Sequence, residues 1–366
     1  MITEGSCRKI VFCLVICLFF LSCQKRNHTQ LFFLDEYVLQ DSISFKNTII
    51  GGLSGIDYAN GFYYLVVDDA RNPRFLKAKI KIEESKIINV DFADVFFLND
   101  SSSVFYKENA LDLESIFVDE KTQEVYFASE GSIRKNKKPS IFKTDKKGKF
   151  ITNFLLPNNL TALENIKHNA VFEASTKSID KKGFWVAMEG VLKNDGKEPT
   201  FTKTSSPIRI TYFDKTTQNA TKQFAYQLEH ITKPAKGNIN LNGVTAILEY
   251  KENHFFVVER TYQNGYGAYG NSIRIFEATI DEKTTNILEI DSLKKIEFIP
   301  LKKKLLLDLE DIREHLTEGI IDNIEGITFG PELENGNKTL LLISDDNFQI
   351  YGKQLNQFLL LEISDK

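Results

Sequence analysis

The sequence predicts an all-β fold and, within that class, a single β-propeller domain. Short runs rich in Val, Ile, Leu, Phe and Tyr dominate the chain. Clusters of Gly, Asn, Asp or Lys bound them, as is typical of strands. Five segments repeat one plan: an apolar residue, a polar residue, a small residue, a strand, a polar turn, a second strand and an acid. Radial repetition of small sheets is the propeller architecture, which protects sheet edges.

The repeated segments are spaced more widely than ordinary propeller blades. They are Leu53–Asp69, Leu113–Gly131, Phe172–Gly190, Leu241–Arg260 and Ile324–Asn347. Their second-position residues lie 60, 59, 69 and 83 positions apart. A four-stranded blade usually takes about 40 to 50 residues. The widest interval could therefore hold a degenerate sixth blade, and we predict six blades with five as the alternative.

Helical periodicity is rare in this sequence. The main candidate is Leu301–Leu316, where apolar residues could line one helical face. We therefore expect at most one short peripheral helix. The 46 Lys and Arg nearly balance the 50 Asp and Glu, so the composition gives no sign of nucleic-acid binding.

The N-terminus carries the pattern of a bacterial lipoprotein signal. Arg8 and Lys9 precede an apolar run of 12 residues, Ile10–Leu21, which is too short to span a bilayer comfortably. Ser22 and Cys23 follow it, and we predict that Cys23 becomes the lipidated first residue. All four cysteines lie in this segment, so the mature chain would have no disulfide.

This pattern fixes the predicted domain boundaries and location. Residues 1–22 are the predicted signal peptide, residues 23–31 a tether and residues 32–366 a single propeller domain. We expect a monomer on the exported side of the bacterial cell envelope. Its contact with the membrane would be through the lipid anchor alone.

The repeat plan places two polar positions of each hairpin at the same end. Two strands joined by a short turn pair antiparallel, so the first strand starts beside the end of the second. Radial repetition would gather these ends at one mouth. The second-position residues are Ser54, Glu114, Glu173, Asn242 and Glu325. The closing acids are Asp68, Glu130, Glu189, Glu259 and Asp345.

So many carboxylates at one mouth need compensation by cations, shared protons or Arg and Lys partners. Oxygen ligands without cysteine favour Ca²⁺ or another hard divalent cation. We assign a catalytic role to Glu114, Glu173, Glu259 and Glu325. The predicted metal ligands are Asp68, Asp69, Glu130, Glu189, Asp345 and Asp346. Arg71 and Arg260 are the predicted substrate-binding residues, because an Arg fork suits phosphate or carboxylate.

Several motifs resemble those of the phytase-like family, which is described by the esterase-like activity of phytase. They include LSGIDY with VVDD, DLESIFVD with ASEG, FWVAMEG, VVERTY, and NIEGITFGPEL with LLLISDDNF. The resemblance spans roughly residues 50 to 361. It implies phosphoester hydrolysis by recurring acids, although Ser54 and Asn242 replace acids of that pattern.

We expect a divalent-metal phosphoesterase acting on a small phosphorylated or anionic substrate. Two other functions remain open. One is a non-catalytic, Ca²⁺-stabilised propeller that binds a ligand or an envelope partner. The other is a sugar-lactone hydrolase. The sequence lacks G-x-S-x-G, H-E-x-x-H and P-loop motifs, so nothing favours a serine hydrolase, a zincin or a nucleotide-binding enzyme.

Overall fold

The repeated hairpins are the inner halves of antiparallel four-stranded sheets in the computed structural model, which describes residues 29–365. The chain begins with β1 (Thr29–Leu39) and a small hairpin of β2 (Ser44–Phe45) and β3 (Thr48–Ile49). Blade 1 then contains β4 (Leu53–Ala59), β5 (Phe62–Val67), β6 (Arg74–Glu83) and β7 (Lys86–Phe97). Blade 2 contains β8 (Leu113–Val118), β9 (Val125–Ser129), β10 (Ser140–Thr144) and β11 (Phe150–Asn153).

The remaining blades follow the same order from the axis outward. Blade 3 contains β12 (Phe172–Lys177), β13 (Gly183–Met188), β14 (Pro207–Asp214) and β15 (Ala220–Gln227). Blade 4 contains β16 (Asn240–Lys251), β17 (His254–Gln263), β18 (Asn271–Thr279) and β19 (Lys302–Asp308). Blade 5 contains β20 (Asn323–Phe329), β21 (Lys338–Asp345) and β22 (Asn356–Asp365).

Blade 5 is completed by the first strand of the fold. β1 pairs antiparallel with β22 as its outermost strand, and Leu31 is buried in the apolar core of this blade. The propeller is therefore confirmed, but residues 29–365 form five blades, so the expectation of six was wrong. β1 begins at Thr29 and therefore includes the last three residues, 29–31, of the predicted tether.

The wide spacing that suggested a sixth blade comes from a long connection. Residues 280–301 join β18 to β19 and cover the outer strand of blade 3. Ile287 N–H donates to the Gln223 carbonyl, and Leu301 N–H donates to the Ala225 carbonyl. Ile287 and Leu293 are buried against Ala225. The connection thus shields a sheet edge that would otherwise present unpaired backbone groups.

Helical structure is short and peripheral across the described part of the chain. The α-helix is α1 (Val104–Glu108), between blades 1 and 2. The predicted helix over Leu301–Leu316 is wrong for its first half, which forms β19, and its second half is a 3-10 segment, Leu309–His315. Other 3-10 segments are Ile133–Lys135, Asn158–Leu160, Gly267–Tyr269, Leu293–Lys295, Thr317–Gly319 and Asn347–Gln349. Within residues 29–365, we find no helix with the length and apolarity needed to cross a bilayer.

Small residues allow the inner strands to pack closely around the axis. A Cβ on Gly326 would lie 2.6 Å from Ile343 Cγ1 and 3.0 Å from Ile56 Cγ2 of blade 1. A Cβ on Gly55 would lie 3.1 Å from the Glu114 carbonyl oxygen of blade 2. At Gly55 and Gly326 the lack of a Cβ therefore leaves room for the adjacent blade.

One end of the axis is bridged by polar contacts between blades. Lys177 of blade 3 donates to an Asp57 carboxylate oxygen at 3.0 Å and to the Tyr58 carbonyl at 2.9 Å, both in blade 1. Asp57 also accepts from Val118 N–H of blade 2 at 2.8 Å. The strand ends that carry the predicted acids lie at the other end of the axis.

Candidate active site at the carboxylate mouth

A bulge at the start of each inner strand sets the geometry of the opposite end. The pairing register shifts at an equivalent residue in every blade of the described fold. These bulged residues are Ser54, Glu114, Glu173, Thr245 and Glu325. A bulge leaves its extra residue outside the ladder and redirects its side chain, and bulges are frequent beside functional sites.

The closing position of each hairpin pairs with the residue two positions before the bulge of the same blade. Backbone pairing links Asp68 to Gly52, Glu130 to Asp112 and Glu189 to Val171. In blade 4 the equivalent pair is Arg260 with Gly243, and in blade 5 it is Asp345 with Asn323. The five closing residues are therefore Asp68, Glu130, Glu189, Arg260 and Asp345.

The fourth repeat is thus out of register in the sequence comparison. Thr245 is equivalent to Glu114, and Arg260 is equivalent to the closing acids, whereas we had matched Asn242 and Glu259. That alignment was wrong by three residues at the first position and by one at the second. The sequence signal that could have corrected it is Val244-Thr245-Ala246-Ile247, which matches LESI and IEGI in its apolar and small positions.

We call eight carboxyl groups and their surroundings the carboxylate mouth. They are Asp68, Asp112, Glu114, Glu130, Glu173, Glu189, Glu325 and Asp345. Asp112 was missed by sequence reasoning, although it directly precedes Leu113 in the second repeat. Within this mouth Asp68, Asp112 and Glu114 offer oxygens within 4.8 Å of one another, as do Glu130, Glu173 and Glu189.

The two triplets adjoin each other. The charges of Asp68 and Asp112 from one triplet, and of Glu173 and Glu130 from the other, all raise the pKa of Glu114. Glu130 reaches across the blade boundary, where its Oε1 accepts from Val171 N–H at 2.6 Å. The acids of blades 1, 2 and 3 therefore form one continuous arc.

Burial dominates the electrostatics of the mouth. Desolvation raises the pKa of Asp68 to about 8, with a further contribution from Asp345. It also raises the pKa values of Glu114, Glu130, Glu173 and Asp345 well above their ordinary range. Removing a carboxylate from water disfavours its charged form, and neighbouring carboxylates add to the effect. Asp68, with a pKa of about 8, would thus hold its proton at neutral pH unless a cation replaced it.

One guanidinium lies among the acids. Arg260 Nη1 donates to Glu325 Oε1 at 3.0 Å, and its Nη2 lies 3.4 Å from Glu189 Oε1. Burial raises the pKa of Glu325 to about 7, and Arg260 opposes that rise. Asn323 donates to the same Glu325 oxygen at 2.7 Å.

The bulged residues that carry a hydroxyl, Ser54 and Thr245, make hydrogen bonds between adjacent blades. Ser54 Oγ donates to the Leu113 carbonyl at 2.9 Å, and Thr245 Oγ1 donates to the Ile324 carbonyl at 2.6 Å. Each bond therefore joins one blade to the first apolar residue of the next blade's inner strand. Blades 1 and 4 thus replace a mouth carboxylate with a blade-to-blade hydrogen bond.

Two predicted metal ligands already bind protein groups. Asp69 accepts from Arg74 Nη1 at 3.0 Å in the loop after β5. Asp346 is buried and accepts from Gly52 N–H at 2.8 Å and from Asn356 Nδ2 at 2.9 Å. Their carboxylates hold the loops at the boundary of blades 5 and 1, so we leave them out of the mouth.

The predicted substrate-binding and rim residues differ in exposure. The Arg71 side chain is 99% exposed, with Nε 3.9 Å from Asp69 Oδ1 at the edge of the mouth. His168 and Lys135 are exposed, and positive charge on either opposes the rise in the pKa of Asp112. Basic side chains therefore lie near the first triplet.

Glu259 and Asn242 belong to a separate buried network. Glu259 is fully buried and accepts from Lys303 Nζ at 2.5 Å, Tyr226 Oη at 2.7 Å and Asn242 Nδ2 at 2.9 Å. Adjacent residues of a strand point to opposite faces of the sheet, so Glu259 faces away from the side that carries Arg260. The structure therefore does not bring Glu259 to the mouth.

The raised pKa values predict a pH-dependent stability. Folded carboxyls that keep their protons stabilise the fold at low pH, and this contribution is lost as pH rises through their folded pKa values. Without divalent ions, we expect the melting temperature to fall between about pH 5 and about pH 8. A divalent cation such as Ca²⁺ would flatten this profile if it bound the deprotonated acids. Thermal unfolding followed by circular dichroism tests this, and identical profiles with Ca²⁺ and with chelator would contradict it.

Comparison with known proteins gives a family but distant structural neighbours. No curated protein matches the sequence significantly. Hydrazine synthase of Kuenenia stuttgartiensis is similar at 10% identity over 80% of this chain and 64% of its own, with a TM-score of 0.37. An exo-β-1,3-galactanase of Phanerochaete chrysosporium is similar at 11% identity over 90% of this chain and 64% of its own, with a TM-score of 0.46.

The match with a third solved structure covers a larger share of that protein. The allergen Mala s 1 of Malassezia sympodialis is similar at 12% identity over 89% of this chain and 82% of its own, with a TM-score of 0.43. This chain thus spans less than two thirds of the first two proteins, and none of the three likenesses supports an inference about chemistry.

The family comparison is more direct. The model of the phytase-like family, described as esterase-like activity of phytase, matches residues 48–348. That range contains all five inner hairpins and every carboxylate of the mouth. The chain belongs to the phytase-like family.

Proposed function

We propose that this protein is a phosphoesterase that depends on divalent cations held by the carboxylate mouth. The observation that carries the proposal is the pair of adjoining triplets, Asp68 with Asp112 and Glu114, and Glu130 with Glu173 and Glu189. Each triplet offers oxygens within 4.8 Å of one another. Membership of the phytase-like family supports a hydrolytic role.

The donor set suits a hard divalent cation. All six side chains offer carboxylate oxygen, which Ca²⁺ and Mg²⁺ prefer, and no thiol or imidazole belongs to either triplet. Buried acids so close together repel one another when ionised, and a bound cation offsets that repulsion. We therefore assign the triplets as ligands of Ca²⁺ or a similar ion.

The chemistry would divide between the ion and the side chains. A divalent ion bound there would polarise a phosphoryl oxygen and make bound water more acidic. Glu325 lies outside both triplets, and with a pKa of about 7 it is suited to accept a proton from an attacking water. Arg71, exposed at the rim, would hold the phosphate through its guanidinium fork.

A chelation experiment tests this proposal. The full-length chain should hydrolyse a generic aryl phosphate in the presence of Ca²⁺. Treatment with chelator should remove this activity, and restored Ca²⁺ should recover it. A panel of phosphomonoesters, phosphodiesters and a sugar lactone is assayed in parallel. Lactone turnover alone would contradict the phosphoesterase. Ca²⁺-dependent stability without any turnover would favour the binding propeller.

The proposed location follows from the N-terminal pattern. Cys23 and the signal sequence lie outside the described residues, and β1 begins at Thr29. We propose that a lipid on Cys23 anchors a monomer to the bacterial envelope. Cys23→Ser should release the protein from the membrane fraction while leaving its hydrolysis of aryl phosphate unchanged. Membrane retention of that variant would contradict the anchor.

A further inference from the structure

Among the five blades of the described fold, blade 4 alone has no acid at either mouth position. Its bulged residue is Thr245, whose hydroxyl donates a hydrogen bond to the Ile324 carbonyl of blade 5. Its closing residue is Arg260, whereas the equivalent residues of the other blades are all acids. Blade 4 therefore contributes a fixed positive charge to a ring that is otherwise acidic.

Arg260 is held by carboxylates from the two adjacent blades. Its Nη1 donates to Glu325 of blade 5 at 3.0 Å, and its Nη2 lies 3.4 Å from Glu189 of blade 3. The side chain is only 17% exposed, so little of it faces solvent. The guanidinium thus lies where one cation is shared by acids of different blades.

A buried oxygen at the same place lacks a partner. Asn323 donates through Nδ2 to Glu325 Oε1 at 2.7 Å, but its Oδ1 has no hydrogen-bond partner within the described chain. Asn323 is 5% exposed. Its position in the repeat is that of Asp112, which belongs to the first triplet. An unpartnered buried amide oxygen is costly in a protein interior and is also a good ligand for Ca²⁺.

We infer that Arg260 is a built-in counter-ion that fills a third cation position of the mouth, formed by Glu189, Glu325 and the Asn323 amide oxygen. The inference rests on the proposed function for the cations at the other two positions. It reassigns Arg260, which the sequence suggested as a phosphate clamp, to a positioning residue that fixes Glu189 and Glu325. It also explains why blade 4 can lack both acids.

The test counts bound ions in the full-length chain. Arg260→Gln removes the guanidinium, so the variant should bind about one more Ca²⁺ per chain than the wild type. Arg260→Lys keeps a cation and should show no gain. Arg134→Gln, at an exposed position of the 3-10 segment Ile133–Lys135, makes the same charge change elsewhere and should also show no gain. Calorimetric titration and elemental analysis after gel filtration give the stoichiometry.

The outcomes separate this inference from the proposed function. A folded Arg260→Gln chain with unchanged stoichiometry would overturn the inference, whatever the wild type hydrolyses. A gain of one ion would support it even if the wild type hydrolysed no phosphate ester. If Arg260→Gln does not fold without Ca²⁺, Arg260→Glu restores the acid of the other blades. Folding of either variant on addition of Ca²⁺ supports the inference, and failure of both to fold at any Ca²⁺ concentration overturns it.

Discussion

Glu114→Gln should reduce kcat/KM for an aryl phosphate by roughly 100- to 10,000-fold, while leaving the ion-free protein at least as stable as the wild type. Glu114 completes the first triplet and adjoins the second, so a neutral amide would weaken the binding of the proposed cations. The stability of the ion-free variant has a different cause. Burial and four neighbouring acids raise the pKa of Glu114, so its charge is unfavourable in the folded chain.

The measurement pairs steady-state kinetics with thermal unfolding in chelator. Glu252→Gln is a matched control, because Glu252 is exposed in the turn after β16, at the opposite end of blade 4. It should change neither activity nor melting temperature. A Glu114→Gln enzyme with wild-type turnover would remove the mouth from the mechanism. An unstable Glu114→Gln enzyme would show that this acid is structural.

Glu259→Gln, unlike Glu114→Gln, should destabilise the protein and lower its free energy of unfolding by about 3 kcal/mol. Glu259 is fully buried and pairs with Lys303, whose ammonium would lose this charge partner inside the fold. Lys303 keeps Glu229 Oε1 at 3.1 Å, so we expect the low end of the cost of breaking a buried pair. The number of bound ions should not change.

Urea unfolding of Glu259→Gln, Lys303→Met and the double variant measures this network. The losses in the free energy of unfolding of the two single variants should together exceed the loss of the double variant. The reason is that removing both partners leaves no unpaired buried charge. If Glu259→Gln instead kept full stability and lost a bound ion, the original match of Glu259 with the closing acids would be correct.

The difference between Glu259 and Arg260 shows where the sequence comparison reached its limit. Neighbouring residues of a strand face opposite sides, so an error of one position moves a side chain from the mouth to the space between blades. Both residues are charged and both follow the apolar run Phe255–Val258, so this run does not distinguish them. The bulge at Thr245 distinguishes them, because it fixes the pairing register between β16 and β17.

The blade count has a similar explanation. Repeat spacing predicted a propeller correctly, but spacing alone does not separate a further blade from a long connection. Residues 280–301 cover the outer strand of blade 3. The fourth strand of blade 5 is β1, which comes from the opposite end of the chain. Both facts depend on contacts between residues that are distant in sequence.

The sequence by itself determined the all-β class, the repeated hairpin and the alignment of repeats 1, 2, 3 and 5. These features depend on short apolar runs bounded by polar turn residues, and every repeat carries such runs. Only the tertiary structure decided that Asp112 joins the mouth, that Arg260 neutralises part of it and that Glu259 leaves it. Those outcomes depend on strand register and on closure of the ring, and both are set by packing between blades.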